Sequence, residues 1–199
     1  MRKFIIFLIS FFLIVGCSNK GLPSVKKESS VTDAITFKTE FENANTLMND
    51  DFSIDKDNVF KYLKNKNVEE VFTNTNVVFI GNATDLNSRV IVKILNSLAK
   101  NGDIKSIYYM DSLKNFAKYE INVNGQIKSQ EESELYDKVL DFVKSSDVST
   151  EKLSSPSIIF IKDGKVVNYY TILDDLDDNV IDTNIIRDQI ISLLEKLDA

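Results

Sequence analysis

The sequence predicts an α/β domain, a central mixed β-sheet flanked by helices, behind an N-terminal leader. Three observations carry the domain. Val77 to Ile80 is an unbroken apolar run that stops at Gly81, after which Val90, Ile91, Ile94, Leu95 and Leu98 recur at helical spacing; this reads as a buried strand, a tight turn and an amphipathic helix. Ile104 to Met110 is rich in strand formers and ends at Asp111, so strand, helix and strand form a right-handed crossover with parallel strands. Ile158 to Ile161 and Val166 to Ile172 flank Asp163-Gly164, the pattern of an antiparallel hairpin.

The remaining elements follow in chain order. Phe37, Phe41 and Ala44 recur at helical spacing and predict a helix from about Ile35 to Met48. Val59 to Leu63 alternates as a short strand, and Asn67-Val68-Glu69-Glu70 has the form of a capping box opening a helix through Phe72. Gly102 is placed to cap the central helix at its C-terminus. Tyr119 to Lys128 carries Asn124-Gly125 between alternating apolar residues, a second hairpin. Glu131 to Ser145 has Leu135, Val139, Phe142 and Val143 on one face, and Asn184 to Leu197 has Ile186, Ile190, Leu193 and Leu197. The tyrosine pairs Tyr108-Tyr109 and Tyr169-Tyr170 read as alternating strand residues.

Composition removes whole classes of chemistry. A formal charge of −6 in 199 residues argues against a nucleic-acid partner, which would select a basic face. There is no His, hence neither the commonest general base nor the commonest metal ligand. The single cysteine, Cys17, excludes an internal disulfide and a two-thiol redox cycle within one chain. The acidic stretch Asp174 to Asp178 lacks the alternating ligands and turn glycine of a calcium loop and reads as a solvated surface. No cofactor or metal is expected.

The first 17 residues open with Arg2 and Lys3 and run apolar from Phe4 to Val15. That run is too short to span a bilayer and suits the core of a signal peptide. Its end, Ile14-Val15-Gly16-Cys17, resembles the lipobox of bacterial lipoproteins. The resemblance implies a signal peptide over 1–16 and a lipidated Cys17 as the mature N-terminus. It also implies that the protein sits on the extracytoplasmic face of the bacterial cell membrane. Residues 17–33 are rich in Ser, Lys, Gly and Pro and read as a flexible tether, with the folded domain over 34–199.

The order of elements over Phe37 to Leu197 resembles the thioredoxin fold. The nearest likeness is to thioredoxin-like proteins of Gram-positive bacteria, including bacteriocin transport accessory proteins. The matching residues are Val78-Phe79-Ile80-Gly81, Ala83-Thr84, Arg89, Ile107 to Asp111, and Pro156 through Gly164. Where that family carries Cys-x-x-Cys, this chain carries Asp85-Leu86-Asn87-Ser88. The family's chemistry needs a thiolate at the helix N-terminus and a second, resolving thiol, and neither residue here forms a disulfide. Asp85 is expected instead to cap the helix, where the dipole favours a carboxylate. Ser88 is a weak nucleophile without an adjacent base, so Asp85 and Ser88 read as a capping pair rather than a catalytic one.

The resemblance also implies that Pro156 is a cis proline facing that loop. Asp85, Ser88, Ser155 and Pro156 would then outline a groove for an extended peptide bound by strand addition, or Pro156 merely shapes the fold. The expected partners are the membrane, through Cys17, and an envelope protein or extended polypeptide. An accessory or immunity-type factor for exported peptides, and an enzyme using non-thiol chemistry at Asp85 and Ser88, are the alternatives.

Overall fold

The computed structural model describes residues 25–116, 118–121, 127–131, 134–148, 150–171 and 182–198; within these, the side chains of 25–31, 118–131 and 198 are not described. The chain divides into two units, Met1–Thr32 and Asp33–Ala199. The elements are α1 (Val25–Asn43), α2 (Asn45–Met48), β1 (Phe60–Tyr62), α3 (Val68–Phe72), β2 (Asn76–Gly81), α4 (Leu86–Asn101), β3 (Ile107–Asp111), α5 (Ser112–Asn115), β4 (Lys118–Ile121), β5 (Ile127–Glu131), α6 (Glu134–Lys144), β6 (Ser157–Lys162), β7 (Lys165–Thr171) and α7 (Thr183–Asp198).

Five strands form one sheet in the order β1-β3-β2-β6-β7, and β4 and β5 pair separately. β3 runs parallel to both β1 and β2, as the crossover requires, whereas β2–β6 and β6–β7 are antiparallel. The sheet is therefore mixed and flanked by helices. Its two faces divide the core by strand alternation. Phe79, Tyr109 and Phe160 bury on one side with Phe37 and Phe41 of α1, Ile91 and Leu95 of α4, and Ile190 of α7. Ile80, Met110 and Ile159 bury on the other with Val71 of α3 and Val139 of α6.

Most elements form where the pattern placed them, and the differences have local causes. The first helix starts at Val25 rather than Ile35, so residues 25–33, expected as tether, have helical backbone. No Gly or Pro interrupts 25–43, and Lys and Glu sustain a helix as readily as a linker. It stops at Asn43, a short separate turn follows, and Asn49 ends that turn in the left-handed region at φ 49°.

Asn67 does open α3, but no capping box forms there: its side chain makes no cap hydrogen bond. Its Oδ1 accepts instead from the Lys64 N–H at 2.7 Å, and its Nδ2 donates to the Tyr62 carbonyl at 3.1 Å, pinning the loop out of β1. On α7 the third buried position is Leu194, not Leu193, because Ile186, Ile190 and Leu194 keep strict i, i+4 spacing toward the sheet. Asp163 and Gly164 both have positive φ, 48° and 78°, the primed turn that a tight hairpin favours. The β4–β5 hairpin pairs as expected, while its Asn124-Gly125 turn and the acidic stretch 174–178 lie outside the described residues.

Candidate functional site

Strand pairing brings three loops to one end of the sheet. Gly81, the last residue of β2, is paired with Asp111 at the end of β3, and Ile80 is paired with Ser157 at the start of β6. The loop Asn82–Asp85, the turn into α5 and the segment 153–156 therefore meet.

Asp85 caps α4, as its residue type and position led us to expect. Its Oδ2 accepts from both the N–H of Ser88, at 2.7 Å, and the Ser88 hydroxyl, at 2.6 Å. Ser88 Oγ in turn accepts from the Asn82 N–H at 3.1 Å. Ser88 is fully buried, at 0% exposure. A carboxylate does stand next to this hydroxyl, but the same oxygen is the helix cap, and the hydroxyl is buried. Gly81 permits this packing: a Cβ there would lie 2.7 Å from Ser88 Oγ and 2.4 Å from Cζ of Phe79.

From Asn82 the network continues across the sheet end. Its Oδ1 accepts from the N–H and hydroxyl of Thr84, at 3.0 and 2.9 Å, an Asx turn that shapes the loop. Its Nδ2 donates to Ser112 Oγ at 3.3 Å, and Ser155 Oγ donates to the same Ser112 oxygen at 2.9 Å. Asp85, Ser88, Asn82, Ser112 and Ser155 thus form one hydrogen-bonded line, with the cis Ser155–Pro156 bond at its end. The structure joins Asp85 to Ser88 directly and reaches Ser155 through Asn82 and Ser112. Leu86 points outward at 59% exposure, and Asn87 is half-buried.

Sequence reasoning missed Asn82 and Ser112. The signals were Asn82 two residues before Thr84, an Asx-turn pattern, and Asp111 ahead of Ser-Leu-Lys-Asn. Asp111 caps α5 by accepting from the N–H groups of Leu113 and Lys114.

Two further clusters brace the site. Arg89, 1% exposed, donates from Nε to Asp50 Oδ2 at 2.8 Å and from Nη1 to the carbonyls of Phe41 and Ala83, both at 2.9 Å. Its Nη2 donates to Asn45, and the guanidinium lies over the Phe52 ring. The Arg89 hydrogen bond, against an opposing effect of burial, holds the Asp50 carboxyl below its ordinary range.

The other cluster centres on Glu40. It accepts from Tyr62 Oη at 2.6 Å and Tyr109 Oη at 3.0 Å, and pairs with Lys114 Nζ at 3.3 Å. Lys114 also pairs with Asp111 at 2.6 Å. Burial first, then the Glu40 and Asp111 charges, push both phenols far above the ordinary tyrosine value. For Lys114 burial opposes the charge, but the carboxylates prevail and raise it.

Among the described residues there is no group of three or more metal-ligating side chains, and no helix is long and apolar enough to cross a membrane. No model of a known protein family matches the sequence, and no curated protein is recognisably similar to it.

Proposed function

We propose that this protein is a lipid-anchored, thioredoxin-like lipoprotein without thiol–disulfide activity, whose domain binds an extended polypeptide or an envelope partner. The carrying observation is that Asp85 and Ser88, at the two positions where the resemblance would put thiols, are hydrogen-bonded to each other and, through Asn82 and Ser112, to Ser155. Sheet order, the helix starting after β2 and the proline entering β6 support the fold reading. Two large apolar side chains at the same end, Leu86 and Leu113, are 59% and 64% exposed. Leu86 follows Asp85 and Leu113 follows Ser112, so apolar contact lies beside the polar line, the mixture a binding patch uses. The anchoring reading rests on the pattern ending at Cys17; two acyl chains there hold a protein stably at a bilayer, where one holds it marginally.

The test is photo-crosslinking of the full chain in cell envelopes, with a crosslinker at position 86, in wild-type and Pro156→Ala backgrounds. A discrete adduct that weakens in the variant supports the reading; reduction of insulin disulfides above background would defeat it. Metabolic labelling with an alkynyl fatty acid, lost in Cys17→Ser, checks the anchor.

A further inference from the structure

Strand β1 ends the five-stranded sheet, and its outer edge is closed by side chains. The Ile107 N–H donates to the Val59 carbonyl at 3.1 Å and the Leu63 N–H to the Tyr109 carbonyl at 2.8 Å. The odd-numbered residues therefore pair inward with β3, and the main chain of Phe60 and Tyr62 faces outward. The Phe60 N–H donates to Asn58 Oδ1 at 3.1 Å, the Tyr62 carbonyl accepts from Asn67 Nδ2 at 3.1 Å, and the Tyr62 N–H donates to Asp33 Oδ2 at 3.2 Å. An open sheet edge is a template for another chain; here side chains take its groups.

The three fastenings are not alike. Asn58 and Asn67 lie two and five residues from the groups they hold and move with the strand. Asp33 comes from α1, 29 residues away. Its other oxygen pairs with Lys64 Nζ at 3.2 Å, and that ammonium also lies over the Tyr62 ring, 5.5 Å from the centroid. Ala34, Phe37 and Phe41 pack α1 into the core, so the Asp33 side chain can turn away while α1 keeps its place. One carboxylate thus gives β1 what an added acidic strand would give: an acceptor for an outward amide and a counter-ion for the lysine beside it. Lys61, over the Tyr108 ring at 5.5 Å, is a second cation on the strand.

We propose that the β1 edge is a second recognition site, for an extended polypeptide with acidic side chains, and that Asp33 is an autoinhibitory contact holding it shut. A strand laid along β1 takes the Tyr62 N–H with a main-chain carbonyl and sets its carboxylates near Lys61 and Lys64, which disfavour a basic segment. β1 lies three places along the sheet from β6, the strand that follows Pro156, so this site stands apart from the Asp85–Ser155 line and does not depend on it.

Fluorescence anisotropy on the full chain tests it, with a labelled, capped octapeptide of alternating Glu and Val as probe and its Lys–Val counterpart as control. Asp33→Ala binds the Glu peptide at least about tenfold more tightly than wild type, the effect of removing one competing hydrogen bond to a charged acceptor. The Lys peptide shows no such gain, and adding Lys64→Ala removes most of it. In hydrogen exchange the Tyr62 amide is slow in wild type, fast in Asp33→Ala and slowed again by the Glu peptide. Should Asp33→Ala unfold, Asp33→Asn keeps an acceptor for the amide but frees Lys64, and gains affinity by a smaller factor. Equal affinity of wild type and the folded variant for the Glu peptide overturns the autoinhibitory role. Equal affinity of the variant for the two peptides overturns the acidic specificity. Self-association of Asp33→Ala without peptide binding overturns the proposed partner and gives the edge to a second copy of the chain.

Discussion

Arg89→Met removes the charge that ties α1, α2 and the Asn82–Asp85 loop together while keeping most of the side-chain stem. In the wild type the guanidinium satisfies Asp50, Asn45 and the carbonyls of Phe41 and Ala83 at once. Losing one partner of a buried ion pair costs about 3–5 kcal/mol. The Asp50 side chain is 21% exposed and regains some water, which points to the lower end, about 3 kcal/mol. For a unit of this size, each kcal/mol moves Tm by about 2–4 °C, so a fall of about 6–12 °C is expected. Arg89→Lys restores little, because one ammonium cannot reach four acceptors in a plane. The chain has no Trp, so urea denaturation is followed by far-UV circular dichroism. Adding Asp50→Leu to Arg89→Met recovers stability, since an apolar replacement of a whole buried pair is near neutral. An Arg89→Met protein within about 1 kcal/mol of wild type, well below the cost of orphaning a buried partner, would refute the reasoning.

The pH dependence of that pair has a definite sign. The folded-state Asp50 pKa is depressed, so its contribution is fully present above the unfolded carboxyl value of about 3.9 and is lost as pH falls through the lower folded value. Wild-type stability therefore falls more steeply below about pH 4 than that of Arg89→Met.

Three further outcomes follow from the same geometry. Gly81→Ala drives a Cβ into Phe79 and Ser88, and overpacking at such a site costs about 1–3 kcal/mol, read as a lower urea midpoint at unchanged slope. Asp85→Ala loses the cap of α4 and the partner of the Ser88 hydroxyl and costs about 1–2 kcal/mol, whereas Asp85→Asn retains most of the cap; equal losses in the two would show that charge, not capping, governs the position. Tyr62 and Tyr109 have raised folded pKa values, so their contribution is present below the ordinary tyrosine value of about 10 and is lost as pH rises beyond it. In a phenolate absorbance titration those two, among seven tyrosines, ionise only with alkaline unfolding, and Tyr62→Phe with Tyr109→Phe removes that late step.

How legible this was depended on whether a signal was local. The β2–α4–β3 unit, the Asp163-Gly164 turn and the Gly102 cap each declare themselves within a few residues, because periodicity and left-handed φ are properties of a short stretch. The capping box at Asn67 was equally local in form and did not form; loop carbonyl and amide groups from Tyr62 and Lys64 competed for the same side chain. Leu193 and Leu194 differ by one position on a helix, and only the direction of the sheet chooses between them.

By itself the sequence determined that this chain holds no thiol pair and no imidazole and carries a net charge of −6, and that a carboxylate sits at the N-terminus of the central helix. Those are statements about composition and adjacent residues, and folding does not alter them. Only the tertiary structure decided what Asp85 and Ser88 belong to. Asn82, Ser112 and Ser155 are up to 73 residues apart in the chain, by their numbers, and become neighbours because β2 pairs with β3 on one side and β6 on the other. The tertiary structure likewise buries Arg89 among Asp50, Phe41 and Ala83, and brings Tyr136 Oη and Tyr169 Oη to the N–H groups of Leu153 and Ser154. A hydrogen bond needs its partners within about 3 Å, and no pattern along the chain encodes that distance across a sheet.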